Sequence, residues 1–215
     1  MRKKGAKVNA PVTPAKAVAE SHEVDLGLER LVFFSDAVIA IAITLLALEI
    51  RLPATAGELN NAALLHNLLA IFPSYLGYVI SFWVIGSFWL SHHRRFRLIV
   101  RYDRNLLLLN MLLLMLIAFI PFPTSVLSEY GNRTATIFYA LTMTVTGLVS
   151  WAIGFYATQR NRLIAPALSP QEQRREWLRS LIVPTIFLFS IGIAWFDADL
   201  AKFSWLLIAL AAKLI

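Results

Sequence analysis

The sequence predicts an all-α membrane protein with six transmembrane helices, and three observations support this prediction. Of the 215 residues, 58% are hydrophobic and only 15% are charged, whereas soluble domains have about 45–50% apolar and about 25% charged residues. Long apolar stretches recur along the chain. Lysine and arginine are concentrated in alternate connections between these stretches, as is typical of proteins that cross a membrane several times.

Each predicted span is an apolar stretch, and about 20 such residues cross the ~30 Å hydrocarbon core of a bilayer. The six stretches are residues 32–50, 69–90, 106–127, 134–157, 181–196 and 203–215. The fifth is short unless it includes Trp177 and Leu178, and the sixth has only 13 residues. Pro121 and Pro184 predict interruptions in the third and fifth spans.

Residues 1–25 are predicted to form a flexible basic cytoplasmic arm, and residues 26–215 the transmembrane domain. The arm has no apolar core, which excludes a cleaved signal peptide. Ser21 or Asp25 is predicted to cap the helix that continues into the first span. The chain has no cysteine, so disulfides and thiolate metal sites are excluded.

The basic residues predict the orientation of the spans. The arm region up to Arg30 and the connections between spans 2 and 3 and between spans 4 and 5 hold 16 of the 20 Lys and Arg residues. Because basic segments remain on the cytoplasmic side, both termini are predicted to be cytoplasmic in a multi-pass protein of the cell membrane. The same distribution argues against nucleic-acid binding, which requires basic residues on one folded face.

Asp36 is an ionisable residue near the cytoplasmic start of the first span, where such a residue usually marks a functional site or a structural pair. Its helical neighbours three and four residues away are apolar, and Arg30 lies about 240° around the helix. Asp36 therefore needs donors from another helix. The candidates at its depth are Trp89, His92, His93 and Asn110. The alternative is that Ser35 or Asp36 only caps the helix.

Neither a metal site nor an active site is predicted. His92 and His93 are adjacent, so their side chains point about 100° apart on a helix, and no third ligand is near in sequence. The chain has no Walker, serine-elbow or HExxH motif. The sequence therefore predicts neither a cofactor nor an enzyme.

A stripe of side chains follows Asp36 along the first span. Ile41, Thr44, Leu45 and Leu48 are spaced by three and four residues, which places them on one helix face. This spacing is also typical of an ordinary helix-packing face, and Thr44 could bond the carbonyl four residues earlier in its own helix.

Three stretches carry a resemblance to a known family: Arg30-x-x-x-Phe34-Ser35-Asp36, Phe88-Trp89-x-x-His92-His93, and Asn110 through Pro121-Phe122-Pro123-Thr124. They resemble the endosomal and lysosomal potassium channel family, transmembrane protein 175, and the likeness covers about residues 28–215. It implies a potassium-permeable cation channel in which the first helix of each six-span repeat lines the pore. This chain has one repeat, which implies a homotetramer.

The resemblance also implies roles for individual residues. Ile41 would form the constriction, with Thr44 beside it at the selectivity level, and Leu45 and Leu48 would continue the gate. The implied structural network consists of Arg30, Phe34, Ser35, Asp36, Trp89, His92, His93 and Asn110. Physics also favours an oligomer, because a single helix cannot enclose a water path and symmetry would repeat Ile41 as a hydrophobic ring.

The expected partners are other copies of the chain, membrane lipid and monovalent cations, with the potassium ion as cargo. The alternative function is a proton-coupled secondary transporter, or a proton-conducting membrane protein, that uses Asp36 and the histidines His92 and His93. Transporters usually place ionisable groups near the membrane midplane. Here these groups are predicted at the cytoplasmic edge, which favours the channel.

Overall fold

The computed structural model describes residues 14–52, 60–159, 162–164 and 169–211, and these residues are almost entirely helical. The helices are α1 (Pro14–Leu48), α2 (Asn61–Ala70), α3 (Phe72–Phe96), α4 (Arg104–Phe119), α5 (Pro121–Tyr130), α6 (Arg133–Thr158), α7 (Pro170–Ser180), α8 (Ile182–Ala194), α9 (Ala198–Ser204) and α10 (Leu206–Ala211). The described part of the chain is all-α, as the sequence predicts.

Five helical segments of the described residues are long and apolar enough to cross a membrane. They are Val24–Leu48, Phe72–Phe96, Arg104–Tyr130, Arg133–Thr158 and Gln171–Ala194. They match the first five predicted spans, and the fifth includes Trp177 and Leu178 because α7 leads directly into α8. The sixth predicted span falls on α9 and α10, and its residues 212–215 lie outside the described residues. Six spans therefore stay a prediction.

Prolines explain where the longer segments are interrupted. α2 gives way to α3 at Ile71, α4 to α5 at Ile120, and α7 to α8 at Leu181. Prolines follow these positions at residues 73, 121 and 184. Proline lacks an N–H, and its ring clashes with the carbonyl four residues earlier, so the helical ladder breaks just before it. The interruptions predicted in the third and fifth spans are confirmed.

The first helix starts earlier than the sequence predicts. α1 begins at Pro14, so Ser21 and Asp25 lie inside the helix rather than at its cap. Proline fits the first turn of a helix because an N–H at that position would have no acceptor within the helix. The residues that follow include alanine, lysine and glutamate, which favour helices. Residues 14–25 of the predicted arm are therefore helical, and residues 1–13 lie outside the described residues.

The helices pack around a layer formed by α4, α5 and α6. α1 packs on α3, α4 and α5, and α3 also packs on α5, whereas α8 packs closely on α6 and α9. Gly147 permits this close approach, because a Cβ there would lie 2.8 Å from the Pro184 Cβ. The rings of Tyr139, Phe187 and Trp205 fill the core beside it, with the Tyr139 and Trp205 centroids 4.8 Å apart.

The two arginine-rich connections lie at one edge of the bundle. An isolated antiparallel bridge joins Ile99 to Ile164, and Asp103 caps α4. The Tyr156 hydroxyl donates to the Asp103 carboxylate, and the Arg162 Nε lies 3.8 Å from it. Desolvation by itself raises the pKa of Asp103, but hydrogen bonds from Tyr156 and the backbone, together with Arg162, lower it overall. These contacts position the ends of α3, α4 and α6 relative to one another.

Candidate functional site

α1 has one face in the protein core and another on the surface of the chain. Ser35, Ile39, Ala42 and Leu46 recur at helical spacing, and all four are buried against the rest of the bundle. The stripe singled out from the sequence lies on the other side: Ile41 is 58% exposed and Leu48 is 64% exposed. The helix is thus anchored along one side, and the predicted pore stripe faces outward from the single chain.

Thr44 lies in the middle of the exposed stripe. Its hydroxyl donates over 2.8 Å to the carbonyl of its own helix three residues earlier, that of Ile41, and not to the one four residues earlier. A threonine hydroxyl has one donor hydrogen and two acceptor lone pairs. Because the hydrogen is used within the helix, the lone pairs remain to accept from water or to coordinate a cation.

A buried chain of hydrogen bonds joins α1 to α4 and α3. The Ser35 hydroxyl donates to the Leu31 carbonyl over 2.8 Å and accepts from the Asn110 Nδ2 over 2.9 Å. The other end of the Asn110 amide lies 2.9 Å from the His92 Nε2. Since Asn110 donates through Nδ2, its Oδ1 accepts, and the His92 Nε2 is the donor. All three side chains are fully buried, where an amide–imidazole pair satisfies groups that would otherwise be costly.

Asp36 bonds a different residue of α3. The Trp89 indole N–H donates to its Oδ1 over 2.8 Å, so the donor that the sequence requires for Asp36 does come from another helix. The Trp89 ring in turn stacks on His93, with centroids 5.6 Å apart. Asp36 and Ser35 therefore fix α1 to α3 and α4 through two separate sets of hydrogen bonds, and neither residue is a helix cap.

Three residues of the implied network lie outside this hydrogen-bonded set. Arg30 is exposed, and among the described residues it makes no hydrogen bond or ion pair. Its position about 240° around α1 from Asp36 explains why it does not reach that carboxylate. Phe34 is also exposed, and His93 contributes only its ring stack on Trp89.

Two buried polar clusters were not predicted from the sequence. The Arg95 guanidinium is buried and donates to the carbonyl and the hydroxyl of Ser150, the latter over 2.8 Å. Nearer the start of α3, the Ser81 hydroxyl lies 2.8 Å from the Thr124 hydroxyl and 2.9 Å from that of Tyr139. Ser81, Thr124, Tyr139 and Ser150 gave only the signal of polar side chains inside apolar spans, which does not distinguish a cross-helix bond from one to the residue's own helix. Arg95 was one of several arginines in a basic connection and gave no separate signal.

The fold and this site define a multi-pass α-helical membrane protein whose first span is anchored by a polar network and exposes an apolar stripe. A family model described as endosomal/lysosomal potassium channel TMEM175 matches residues 30–121. A solved structure of a lysosomal potassium-selective channel TMEM175 homologue from Chamaesiphon minutus is 31% identical, with a TM-score of 0.75 over 87% of this chain and 96% of that one. The chain belongs to the TMEM175 family.

Two curated relatives illustrate the range of this family. A protein of Streptomyces collinus named as a potassium channel is 37% identical over 84% of this chain and 89% of its own length. A protein of Gallus gallus named as the endosomal/lysosomal proton channel TMEM175 is 35% identical over 62% of this chain. This chain spans 26% of that vertebrate protein.

Proposed function

We propose that the chain is one subunit of a homotetrameric potassium channel whose central pore is lined by four α1 helices. The observation that carries this proposal is the apolar stripe exposed on a helix whose opposite face is firmly packed. Other copies of the same helix would cover such a stripe and enclose a water path. The names of the potassium-channel relatives support potassium as the permeant ion.

Within this pore, Ile41 forms the narrowest ring. Four isoleucine side chains make a hydrophobic constriction of the kind that gates by dewetting. The Thr44 lone pairs, one turn farther along, replace part of the water shell of the ion as it passes, so selectivity arises at the level of Ile41 and Thr44. Leu45 and Leu48 extend the apolar wall of the gate.

The polar network has a mechanical role in this proposal. A ring of four Ile41 side chains has a defined width only if each α1 is held at a fixed rotation and depth. The hydrogen bonds from Asn110 to Ser35 and from Trp89 to Asp36 supply that constraint one to two turns below the ring. The ionisable groups thus position the pore helix and do not carry the ion.

The orientation in the cell membrane follows from the arginine-rich edge. The ends of α3 and α6, the start of α4 and the start of α7 carry the basic connections, and the bridge from Ile99 to Ile164 holds two of them together. By the positive-inside rule this edge is cytoplasmic, and both termini lie on the same side.

The test is a current measurement on purified protein in a planar bilayer under a potassium gradient, with sodium replacing potassium on the dilute side. The reversal potential is expected close to the potassium equilibrium value. Ile41→Asn, which replaces the hydrophobic ring with polar amides, is expected to raise the conductance severalfold.

The matched control is Leu188→Asn on α8, because Leu188 has the same 58% exposure as Ile41 on a different helix. The control is expected to conduct like the native protein. An absence of current from tetramers of 24.2 kDa chains, or equal behaviour of the two variants, would contradict the proposed pore.

Proton conduction is the second candidate, and the vertebrate relative named as a proton channel favours it. If the chain conducts protons, His92 and Asp36 would carry them at the arginine-rich edge. The same bilayer distinguishes the two functions: a reversal potential that follows a pH gradient and ignores the potassium gradient would replace the potassium channel with a proton pathway.

A further inference from the structure

A basic groove runs between the end of α3 and the surface of α7. Seven residues line it: Arg94, Arg97, Leu98, Glu172, Arg175, Glu176 and Arg179. A second, adjoining groove continues along one stripe of α7 and α8, lined by Gln171, Arg174, Arg175, Leu178, Arg179 and Ile182. The pore proposed above uses none of these side chains.

The acidic groups in this groove already have partners. Glu172 accepts from the backbone N–H and the hydroxyl of Ser169, each over 2.8 Å, in the capping box that starts α7. Glu176 pairs with Arg179, with 3.3 Å between the Arg179 Nη1 and the Glu176 Oε1. With four arginines and two glutamates in its lining, this groove keeps a net positive charge.

Three of the guanidinium groups that line the groove between α3 and α7 have no anionic partner among the described residues. Arg94 makes one long hydrogen bond, 3.3 Å to the Ser91 hydroxyl, and its buried Nε has no partner. Arg97 and Arg175 are exposed, and the structure gives them no hydrogen bond or ion pair. By contrast, the adjacent Arg95 is satisfied by Ser150 in the core. A buried donor without an acceptor is costly, so this site is suited to an anionic oxygen ligand.

The groove is basic at one end and apolar at the other. Below the arginines of α7, the same helical stripe presents Leu178 and Ile182, and it continues on α8 to Phe189, which is 71% exposed. Arginine matches the geometry of a phosphate group by donating two parallel hydrogen bonds. A ligand with a phosphate head and an apolar tail would satisfy both parts of this surface.

We propose that the groove between α3 and α7 binds the phosphate of an anionic phospholipid from the leaflet on the arginine-rich side of the membrane. Arg94, Arg97 and Arg175 hold the headgroup, and one acyl chain lies along Leu178 and Phe189. The site does not depend on whether the chain conducts ions, because binding is measured without current.

The experiment is a lipid titration of the purified, detergent-solubilised protein, followed by native mass spectrometry. The probes are phosphatidylglycerol, phosphatidylcholine with the same acyl chains, and soluble glycerol phosphate. Phosphatidylglycerol is expected to bind in preference to phosphatidylcholine. The double substitution Arg97→Gln with Arg175→Gln is expected to weaken its binding about 25-fold, since each basic residue contributes about a factor of five near an anionic headgroup.

The matched control is Arg101→Gln with Arg104→Gln, which removes the same charge from exposed arginines at the same edge that do not line the groove. This variant is expected to bind phosphatidylglycerol within about twofold of the native protein. Equal losses in the two double variants would overturn the site, as would the absence of any preference for phosphatidylglycerol.

Glycerol phosphate that competes as well as the lipid would overturn the lipid assignment in favour of a soluble phosphate. If the double variant fails to give a single species on size exclusion, Arg175→Gln alone takes its place. Because Arg175 lies exposed on α7, its loss is expected to leave the fold unchanged and to weaken binding about fivefold. Unchanged binding by Arg175→Gln would then overturn the proposal.

Discussion

The two faces of α1 carry similar apolar side chains but meet different surroundings. Ile39 and Leu46 are buried in the chain's own core, whereas Ile41 and Leu48, each two residues farther on, are exposed. In water such exposure would mark an aggregation-prone surface. In a bilayer it does not, because lipid tails are as apolar as leucine. Exposure of an apolar residue therefore cannot by itself separate a lipid-facing surface from a pore-facing one, which is why the conductance of Ile41→Asn is compared with that of Leu188→Asn. Polar substitutions on the two faces of α1 test instead which face packs in the core.

The largest expected effect belongs to the buried face. Ile39→Asn places an amide among apolar neighbours on a residue that is 1% exposed, and burying an unpaired amide costs about 2–7 kcal/mol. We expect this variant to lose its thermal transition and its monodisperse elution on size exclusion in detergent.

Ile41→Asn is the companion variant, and it is expected to elute and melt close to the native protein while changing conductance. The two substitutions are chemically identical and two positions apart on one helix. Similar destabilisation in both variants would show that the two faces of α1 do not differ as the single chain indicates.

A smaller loss of stability is expected when the hydrogen-bond network that anchors the buried face of α1 is disrupted. Asn110→Leu removes both bonds of the amide and leaves the His92 Nε2 buried without its acceptor. Polar contacts between membrane helices contribute about 0.6–2 kcal/mol each, so we expect a loss of about 1–3 kcal/mol, measured by reversible unfolding in mixed micelles.

Met111→Leu, an exposed neighbour on α4, is the control for Asn110→Leu and is expected to change stability little. If the Asn110 variant also conducts with altered selectivity, the network sets the geometry of the Ile41 ring as proposed. A variant that melts like the Met111 control would show that the buried amide does not hold α1.

The five spans of the described residues could be predicted from hydropathy and length. A helix that crosses the bilayer needs a minimum number of consecutive apolar residues, whatever it packs against. The need of Asp36 for a donor from another helix could also be predicted, since its own helix offers none. The choice of Trp89 from among four candidates could not, because it depends on the rotation of α3 against α1.

Arg94 and Arg95 show why other features could not be predicted. The two residues are identical in type and adjacent in sequence, and a count of basic residues treats both as markers of orientation. In the structure Arg95 points to Ser150 and lies against Gly154, where a Cβ would be 3.0 Å from the Arg95 Cδ. The small residues of α6 decide which of the two arginines points inward. Their position relative to α3 is known only once the helices are packed.

The smallest effect is expected from removing the hydrogen bond between Trp89 and Asp36, at the half-buried edge of the packed face of α1. Trp89→Phe keeps an aromatic ring at the position but removes the indole N–H that donates to Asp36. Because Asp36 is only half-buried, water can replace the lost donor, and we expect a loss below about 1 kcal/mol in the same unfolding assay. Trp83→Phe is the matched control, since Trp83 lies exposed on the same helix. A loss in the Trp89 variant no larger than that in the Trp83 variant would mean that the smaller ring, rather than the missing bond to Asp36, accounts for the change.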